Sequence, residues 1–280
     1  IAITSGKGGT GKTTVAANLT RLLGSDVQLL DCDVEEPNTH LFFDCTEKEA
    51  REVCISIPKV NELQCDACGE CSAFCEFNAI VTFGGAPMIF PELCHGCGGC
   101  ARVCPRAVIG SVPHRLGAVS TLQAGEIEII QGRLDVGKAL CTPVIDAVLR
   151  SKRAEATVIV DTAPGASCPV VTALQGVDFA ILVTEPTPFG LHDLKIAVDM
   201  VRRLNVPFGI VINRNGIGDE RVHEYCGKEV IEIVGEIPDD RKIAEAYSRG
   251  VLMVDEFPEY RALFERIFER CIERTRVTAA

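Results

Sequence analysis

Two strings of cysteines constrain this chain more than any other feature of its sequence. The first reads Cys65-x2-Cys68-x2-Cys71-x3-Cys75, and the second reads Cys94-x2-Cys97-x2-Cys100-x3-Cys104-Pro105. At this spacing three thiolates of a string bind one [4Fe–4S] cluster, and the fourth thiolate binds the other cluster. The pattern therefore predicts two clusters and the handling of single electrons. The predicted ligands are Cys65, Cys68, Cys71 and Cys104 for cluster 1, and Cys94, Cys97, Cys100 and Cys75 for cluster 2.

The composition of the chain indicates the compartment and the kinds of partner to expect. It has 15 cysteines in 280 residues, and those outside the two strings form no further C-x-x-C pair. This favours metal-bound thiolates in a reducing compartment over disulfides. The chain shows no signal peptide and no apolar run of about 18 residues, so we expect a cytoplasmic protein without a membrane partner. The net charge of −11 argues against nucleic-acid binding.

A glycine-rich loop at the start of the chain predicts a phosphate site. The apolar segment Ile1-Ala2-Ile3-Thr4 leads into Gly6-Lys7-Gly8-Gly9-Thr10-Gly11-Lys12-Thr13-Thr14, and an amphipathic helix that stops at Gly24 follows. Backbone N–H groups of such a loop face a bound anion. Lys12 is expected to contact the β and γ phosphates of a nucleotide, and the Thr13 hydroxyl to bind Mg²⁺. The predicted nucleotide-binding residues of the loop are Gly8, Gly9, Thr10, Gly11, Lys12, Thr13 and Thr14.

The same loop also satisfies the dinucleotide fingerprint G-x-G-x-x-G. Its glycines are Gly6, Gly8 and Gly11, and Asp31 follows where a ribose-binding acid would lie. The Lys12-Thr13 pair favours the triphosphate, because a dinucleotide site does not need a lysine and a hydroxyl for a terminal phosphate and its metal.

Two predicted strands end in carboxylates that support the triphosphate interpretation. Val27–Leu30 is followed by Asp31 and Asp33, and Thr157–Val160 is followed by Asp161. Acids at strand ends beside a phosphate loop hold Mg²⁺ or orient the attacking water.

In these motifs the sequence resembles the MinD/ParA group of P-loop ATPases, and more narrowly the members with an inserted ferredoxin domain. The resemblance rests on the extra lysine Lys7, the segment from Asp31 to Asn38 and the eight cysteines. It implies an α/β P-loop NTPase with a mostly parallel sheet covered by helices, and a small α+β bacterial-type dicluster ferredoxin domain. The alternation of apolar segments with helical patterns predicts the same parallel sheet.

The resemblance also implies roles for individual residues. Lys7 would cross an ATP-dependent homodimer interface to the partner's nucleotide, and Asp33 would position the hydrolytic water with Asp31 as a helper. Asp161 would lie near Mg²⁺. Asn213 and the backbone around Pro238 would contact the base. The implied cofactors are ATP, Mg²⁺ and two [4Fe–4S] clusters.

The expected order along the chain is an interrupted ATPase domain. Residues 1–57 form its first part, 58–112 the inserted cluster domain, and 113–280 its second part. The insert is an internal repeat with a hairpin around Gly84-Gly85. Further predicted elements are a strand over 127–130, a helix over 138–150, a strand over 179–184, a helix over 191–204, and apolar runs over 208–212 and 230–234.

Three other features have competing interpretations. The tail 259–274 has an apolar stripe with mixed charges opposite, which favours a docked surface helix over a basic membrane helix. We expect His95 to face solvent or to lie near a cluster without binding its iron. Cys168 is expected to be a buried cysteine; the alternative is a cluster shared between subunits, since the nitrogenase iron protein, a relative, has a cluster cysteine in a similar place.

The leading functional hypothesis is an ATPase coupled to electron transfer toward a partner protein. One alternative is an iron–sulfur assembly carrier, and another is a positioning or partitioning ATPase in which the clusters sense redox state.

Overall fold

The computed structural model describes the backbone of residues 1–279 and the side chains of residues 1–275. The strands are β1 (Ala2–Thr4), β2 (Val27–Cys32), β3 (Thr46–Val60), β4 (Ile80–Val81), β5 (Met88–Ile89), β6 (Ile109–Ala124), β7 (Ile127–Leu134), β8 (Thr157–Thr162), β9 (Ala180–Thr184), β10 (Phe208–Asn215) and β11 (Ile233–Pro238). The helices are α1 (Lys12–Leu23), α2 (Glu70–Phe74), α3 (Gly99–Val103), α4 (Thr142–Leu149), α5 (Cys168–Ala173), α6 (Pro188–Arg203), α7 (Arg221–Glu229), α8 (Arg241–Ser248), α9 (Met253–Glu256) and α10 (Pro258–Ala279).

The large sheet confirms the predicted α/β class with mostly parallel pairing. Its strand order is β11-β10-β9-β1-β8-β2-β7-β6-β3. The pairings of β1 with β8 and β9, of β2 with β7 and β8, and of β10 with β9 and β11 are all parallel. Because parallel strands end at one edge of a sheet, β1, β2 and β8 bring their following residues together there.

The chain separates into two compact units. One unit comprises residues 1–50, 119–133 and 145–280, and the other comprises residues 51–118 and 134–144. The predicted divisions at 57/58 and 112/113 fall inside the long strands β3 and β6. Sequence patterns did not predict these strands at their full length, because much of β3 is exposed and charged.

The first unit is built around α1 and the central strands. Helix α1 buries Val15, Ala16 and Leu19 and ends at Gly24, whose φ of 68° suits a residue without a side chain. These side chains belong to a core shared with strands β2, β8 and β9 and with the tail helix α10.

The second unit contains the cysteine repeat and a small core. Helices α2 and α3 are each preceded by a glycine in the left-handed region, Gly69 with φ 82° and Gly98 with φ 69°. The predicted hairpin is present as the antiparallel pair of β4 and β5. Cys71, Ile80 and Ile109 form the buried core, so cysteines contribute to it directly.

Two predicted elements are displaced. The apolar run over 230–234 is not one strand: Val230 ends α7 with φ 56° and is exposed, and β11 begins at Ile233. The helix predicted over 138–150 begins only at Thr142, where Pro143 suits a first turn.

The tail forms a docked helix, as predicted. Phe264, Ile267 and Cys271 of α10 are fully buried, and α10 packs on α1, α9 and β11. A Cβ atom at Gly235 of β11 would lie 2.4 Å from Ile267 Cγ1, so the strand and the helix approach closely. No helix in the described part of the chain is long and apolar enough to cross a membrane.

Replacing Phe264 by alanine should test this docking. Phe264 is 0% exposed, so the substitution should lower the free energy of unfolding by about 3–5 kcal/mol. Urea denaturation would measure the change. Phe189→Ala, at a side chain that is 78% exposed, is the matched control and should change the stability little. Equal effects of the two substitutions would contradict the docking of α10.

Candidate functional site

The glycine-rich loop connects β1 to α1 at the carboxyl edge of the sheet. Gly11 precedes α1 with φ 97°, and a Cβ atom there would lie 2.3 Å from Asn213 Nδ2. At Gly6 a Cβ atom would lie 2.1 Å from the backbone oxygen of Asp193. The loop therefore needs glycine at both positions, at Gly11 for conformation and space and at Gly6 for space.

A cavity of about 410 Å³ lies over this loop, within the size range of small-molecule sites. Most of the predicted nucleotide residues line it together. They are Gly8, Gly9, Gly11, Lys12, Thr13, Thr14, Asp33, Asn213 and Pro238.

Thr10 does not line the cavity and lies behind the loop. Its side chain is 1% exposed, and its backbone oxygen accepts a hydrogen bond of 2.8 Å from Asn213 Nδ2. Asn213 thus ties the end of β10 to the phosphate loop.

The two strand-end aspartates, Asp31 and Asp161, lie beside each other, and neither lines the cavity. Asp31 of β2 is the register partner of Asp161 of β8, and both are fully buried. Asp31 accepts hydrogen bonds from the Thr39 hydroxyl at 2.6 Å and from the Thr39 N–H at 3.2 Å. Its carboxylate therefore holds the chain that follows β2, while burial raises its pKa to about 6.

Asp161 differs from Asp31 because its carboxylate is left without good partners. Neither oxygen has a well-aligned hydrogen bond among the residues that the structure describes. Burial, and then the charge of Asp31, raises the pKa of Asp161 well above its ordinary range; Thr13 and Lys12 offset this only in part. An unpaired buried carboxylate near a threonine hydroxyl fits a Mg²⁺ ion, which needs few protein ligands when phosphates and waters supply the others.

Lys12 and Asp33 face the cavity with opposite charges. Lys12 is 6% exposed, and burial lowers its pKa, while Asp161 and Asp33 act in the opposite direction. Burial raises the pKa of Asp33 to about 6, and the charge of Lys12 lowers it in part. A desolvated ammonium at this place interacts strongly with a phosphate, because little water screens it.

Lys7 lies apart from the cavity lining. Its ammonium is 3.3 Å from Glu185 Oε2, and Arg214 Nη1 is 2.9 Å from Glu185 Oε1. Within the chain, Lys7 is thus paired with a buried carboxylate at the end of β9, and its predicted role across an interface stays a prediction.

The cysteines of the two strings line two separate cavities. Four cysteines line each cavity, and each set of four draws on both strings. One cavity, of about 660 Å³, is lined by Cys75, Cys94, Cys97 and Cys100 among other residues. A second, much smaller cavity is lined by Cys65, Cys68, Cys71 and Cys104. Each set combines three thiols of one string with the last thiol of the other.

The thiol environment fits iron–sulfur clusters. Sγ of Cys65 accepts a hydrogen bond of 3.4 Å from the Ala67 N–H, and Sγ of Cys94 accepts one of 3.4 Å from the Gly96 N–H. Such bonds stabilise thiolates and tune cluster potentials. No three Cys, His, Asp or Glu side chains within residues 1–275 converge on a single metal ion. In a [4Fe–4S] cluster each cysteine binds a different iron atom, so the four sulfur atoms do not need to converge on one point.

Comparison with known proteins decides the family. The model of the CobQ/CobB/MinD/ParA nucleotide binding domain matches residues 1–253. The chain belongs to this family.

Two curated relatives and one solved structure are similar over most of their length. An uncharacterized protein of Methanocaldococcus jannaschii is 34% identical over 256 residues, covering 89% of both chains. An iron-sulfur cluster carrier protein of the same organism is 28% identical over 300 residues, covering 98% of this chain and 84% of the carrier. The septum site-determining protein MinD of Pyrococcus horikoshii, complexed with Mg-ADP, has a TM-score of 0.57 at 20% identity, covering 96% of this chain and 93% of MinD. At 20% identity, the similarity to MinD supports only the fold of this chain.

The nucleotide cavity of this CobQ/CobB/MinD/ParA domain has a wall that sequence reasoning missed. Asp239, Asp240, Ile243, Ala244 and Tyr247 line it from the end of β11 and from α8. Asp240 caps α8 by accepting a hydrogen bond of 3.0 Å from the Lys242 N–H. The sequence Pro238-Asp239-Asp240 was a helix-start signal that could have predicted α8, though not its place in the cavity.

The predictions for two isolated residues have different outcomes. His95 is exposed and its ring stacks on Phe77, in agreement with a solvent-facing position. Cys168 is exposed, so the prediction of a buried cysteine is wrong. It lies at the outward-facing start of the short helix α5, whose buried side chains, such as Val170, come later.

Proposed function

We propose that this protein binds and hydrolyses Mg-ATP and couples that cycle to electron transfer through two [4Fe–4S] clusters toward a partner protein. The observation that supports it best is the presence, in one chain, of a nucleotide cavity and two cavities lined by complete crosswise sets of four cysteines. The clusters would accept and donate single electrons, with potentials set by their surroundings.

The predicted residues of the nucleotide site have separate roles in this proposal. Lys12 binds the β and γ phosphates, and the loop N–H groups between Gly8 and Thr14 surround them. Thr13 and Asp161 hold Mg²⁺, which would neutralise phosphate charge. Asp33 orients the attacking water. Asn213 and Pro238, which line the cavity, contact the base.

The proposal includes an ATP-dependent homodimer. Lys7 then leaves Glu185 and contacts the nucleotide of the second copy. The redox partner in this proposal is a protein.

Anaerobic redox titration followed by EPR tests the coupling. Cluster potentials should shift when Mg-ATP is present, and by linkage cluster reduction must change nucleotide affinity by the same free energy. For one electron, a tenfold difference in affinity corresponds to about 59 mV. Unchanged potentials would exclude coupling in the isolated protein.

One relative supports a second candidate function, transfer of clusters to other proteins. It is the M. jannaschii protein named an iron-sulfur cluster carrier. Complete four-cysteine sets favour permanent clusters, whereas a carrier must release its cargo. Incubation with an apo-ferredoxin would distinguish the two: intact transfer supports the carrier, and retention supports electron transfer.

Replacing Asp161 by asparagine should remove most of the stabilisation that Mg-ADP provides. A ligand at about 100 times its Kd stabilises a fold by about 2.7 kcal/mol. An amide is a poorer Mg²⁺ ligand than a carboxylate, so the melting temperature of the variant should respond weakly to Mg-ADP. Differential scanning fluorimetry with and without EDTA measures this. Glu224→Gln, at an exposed residue of α7, is the control and should respond as the unaltered protein does; an equal response of Asp161→Asn would exclude the metal role.

A further inference from the structure

The cysteine repeat places two side-chain pairs at equivalent positions. Asp66 follows the first cysteine of its string as His95 follows the first cysteine of the other. Arg106 lies two residues after Cys104, as Phe77 lies two residues after Cys75. The equivalent residues differ completely in chemistry.

Around the set of Cys65, Cys68, Cys71 and Cys104 the pair is ionic. Arg106 Nε lies 3.3 Å from Asp66 Oδ2. The other oxygen, Asp66 Oδ1, accepts a hydrogen bond of 3.4 Å from the Cys68 N–H. Asp66 thus connects the loop of the first two cysteines to the turn after Cys104, which belongs to the other string.

Around the set of Cys94, Cys97, Cys100 and Cys75 the equivalent pair is aromatic. The rings of His95 and Phe77 stack with centroids 3.7 Å apart and planes 11° from parallel. This contact also connects the loop of the first two cysteines to the turn after the fourth cysteine. Both residues line the larger cysteine cavity.

We propose that these two pairs are positioning devices, each holding the fourth cysteine of a set against the loop that carries the first. The proposal rests on the proposed cluster binding. It adds that an ion pair helps to retain cluster 1, whereas ring stacking helps to retain cluster 2. Neither pair binds iron itself. Each adds a side-chain contact to the connection between the two copies of the repeat.

Because the two pairs differ in chemistry, iron loss from the two sites should respond differently to the salt concentration. The Asp66 and Arg106 side chains are 42% and 61% exposed, so ions in solution screen their attraction. Stacking between two rings does not depend on ionic strength in this way. Raising the salt concentration should therefore speed iron loss from the first set and leave the second set unchanged.

Iron release from the reconstituted protein to the chelator bipyridyl would test the proposal. Cys68→Ala and Cys97→Ala each remove one ligand of one set, and the EPR signal that each variant loses identifies its cluster. Asp66→Asn should then speed release from cluster 1 about threefold, with cluster 2 unchanged. His95→Ala should speed release from cluster 2 about fivefold, with cluster 1 unchanged.

Two restoring variants separate positioning from general destabilisation. Exchanging the charges, Asp66→Arg with Arg106→Asp, should make cluster 1 release iron more slowly than Asp66→Arg alone and keep the salt dependence, since both variants lack the hydrogen bond from the Cys68 N–H and differ only in the ion pair. His95→Phe preserves a stacked ring and should leave cluster 2 unaffected. Equal acceleration at both clusters, no acceleration at either, or an exchanged pair that releases iron as fast as Asp66→Arg alone would overturn the proposal. A protein that takes up no iron and sulfide at all would instead refute the proposed cluster binding.

Discussion

Replacing Lys12 by alanine is expected to abolish ATP turnover while leaving iron content and cluster absorbance unchanged. Lys12 is 6% exposed and lines the nucleotide cavity near Asp33, so its ammonium acts with little screening by water. Removing one preorganised charged donor from such a site costs about 10²- to 10³-fold in rate. The cysteine sets lie in the other compact unit, so their ligands should be untouched.

The Lys12→Ala experiment needs two readouts and one control. Phosphate release measures turnover, and iron and sulfide analysis with the visible spectrum measures the clusters. Lys228→Ala, at an exposed lysine of α7, should leave both unchanged. Turnover that persists in Lys12→Ala would refute the nucleotide role of the loop. Loss of turnover and clusters together would refute the modular organisation.

The parts of the site that could be predicted from sequence are those encoded by short-range spacing. The phosphate loop needs only a strand, its glycines and a helix start, all within residues 1–23, and Lys12 and Thr13 follow from it. The crosswise cysteine sets could be predicted from the bacterial ferredoxin pattern, whose spacing is identical in the two strings. Asp33 could be predicted because a parallel strand must end at the same edge as the loop.

The remaining parts depend on contacts between distant segments. Tyr247 reaches the nucleotide cavity from α8, more than 200 residues after the loop, and nothing local in its sequence indicates this. The pairing of Lys7 with Glu185 requires β9 to lie beside β1. Cys168 was expected to be buried because cysteine is usually buried, but the first residue of a short helix faces outward.

Removing the last cysteine of a string is expected to destroy the cluster of the other string. Cys75 follows Cys71 in the chain, yet it lines the cavity of Cys94, Cys97 and Cys100. Cys75→Ala should therefore reproduce the spectrum of Cys97→Ala, and Cys104→Ala should reproduce that of Cys68→Ala. Each substitution should remove or convert one of the two clusters, with a loss of up to about half of the iron, because a cubane needs four thiolates.

EPR of the reduced variants, with iron analysis, decides between crosswise and sequential ligation. Cys54→Ala is the matched control, since Cys54 is an exposed cysteine of the same unit outside both cavities, and it should retain both clusters. If Cys75→Ala instead matched Cys68→Ala, each string would hold its own cluster, and the cavities would not correspond to binding sites. Crosswise ligation has a structural consequence for so small a unit: each cluster joins both copies of the repeat. A buried cluster there consists of Cys71, Ile80 and Ile109, and Cys75, Cys100 and Cys104 pack against it, so loss of either iron–sulfur cluster should loosen the whole unit rather than half of it.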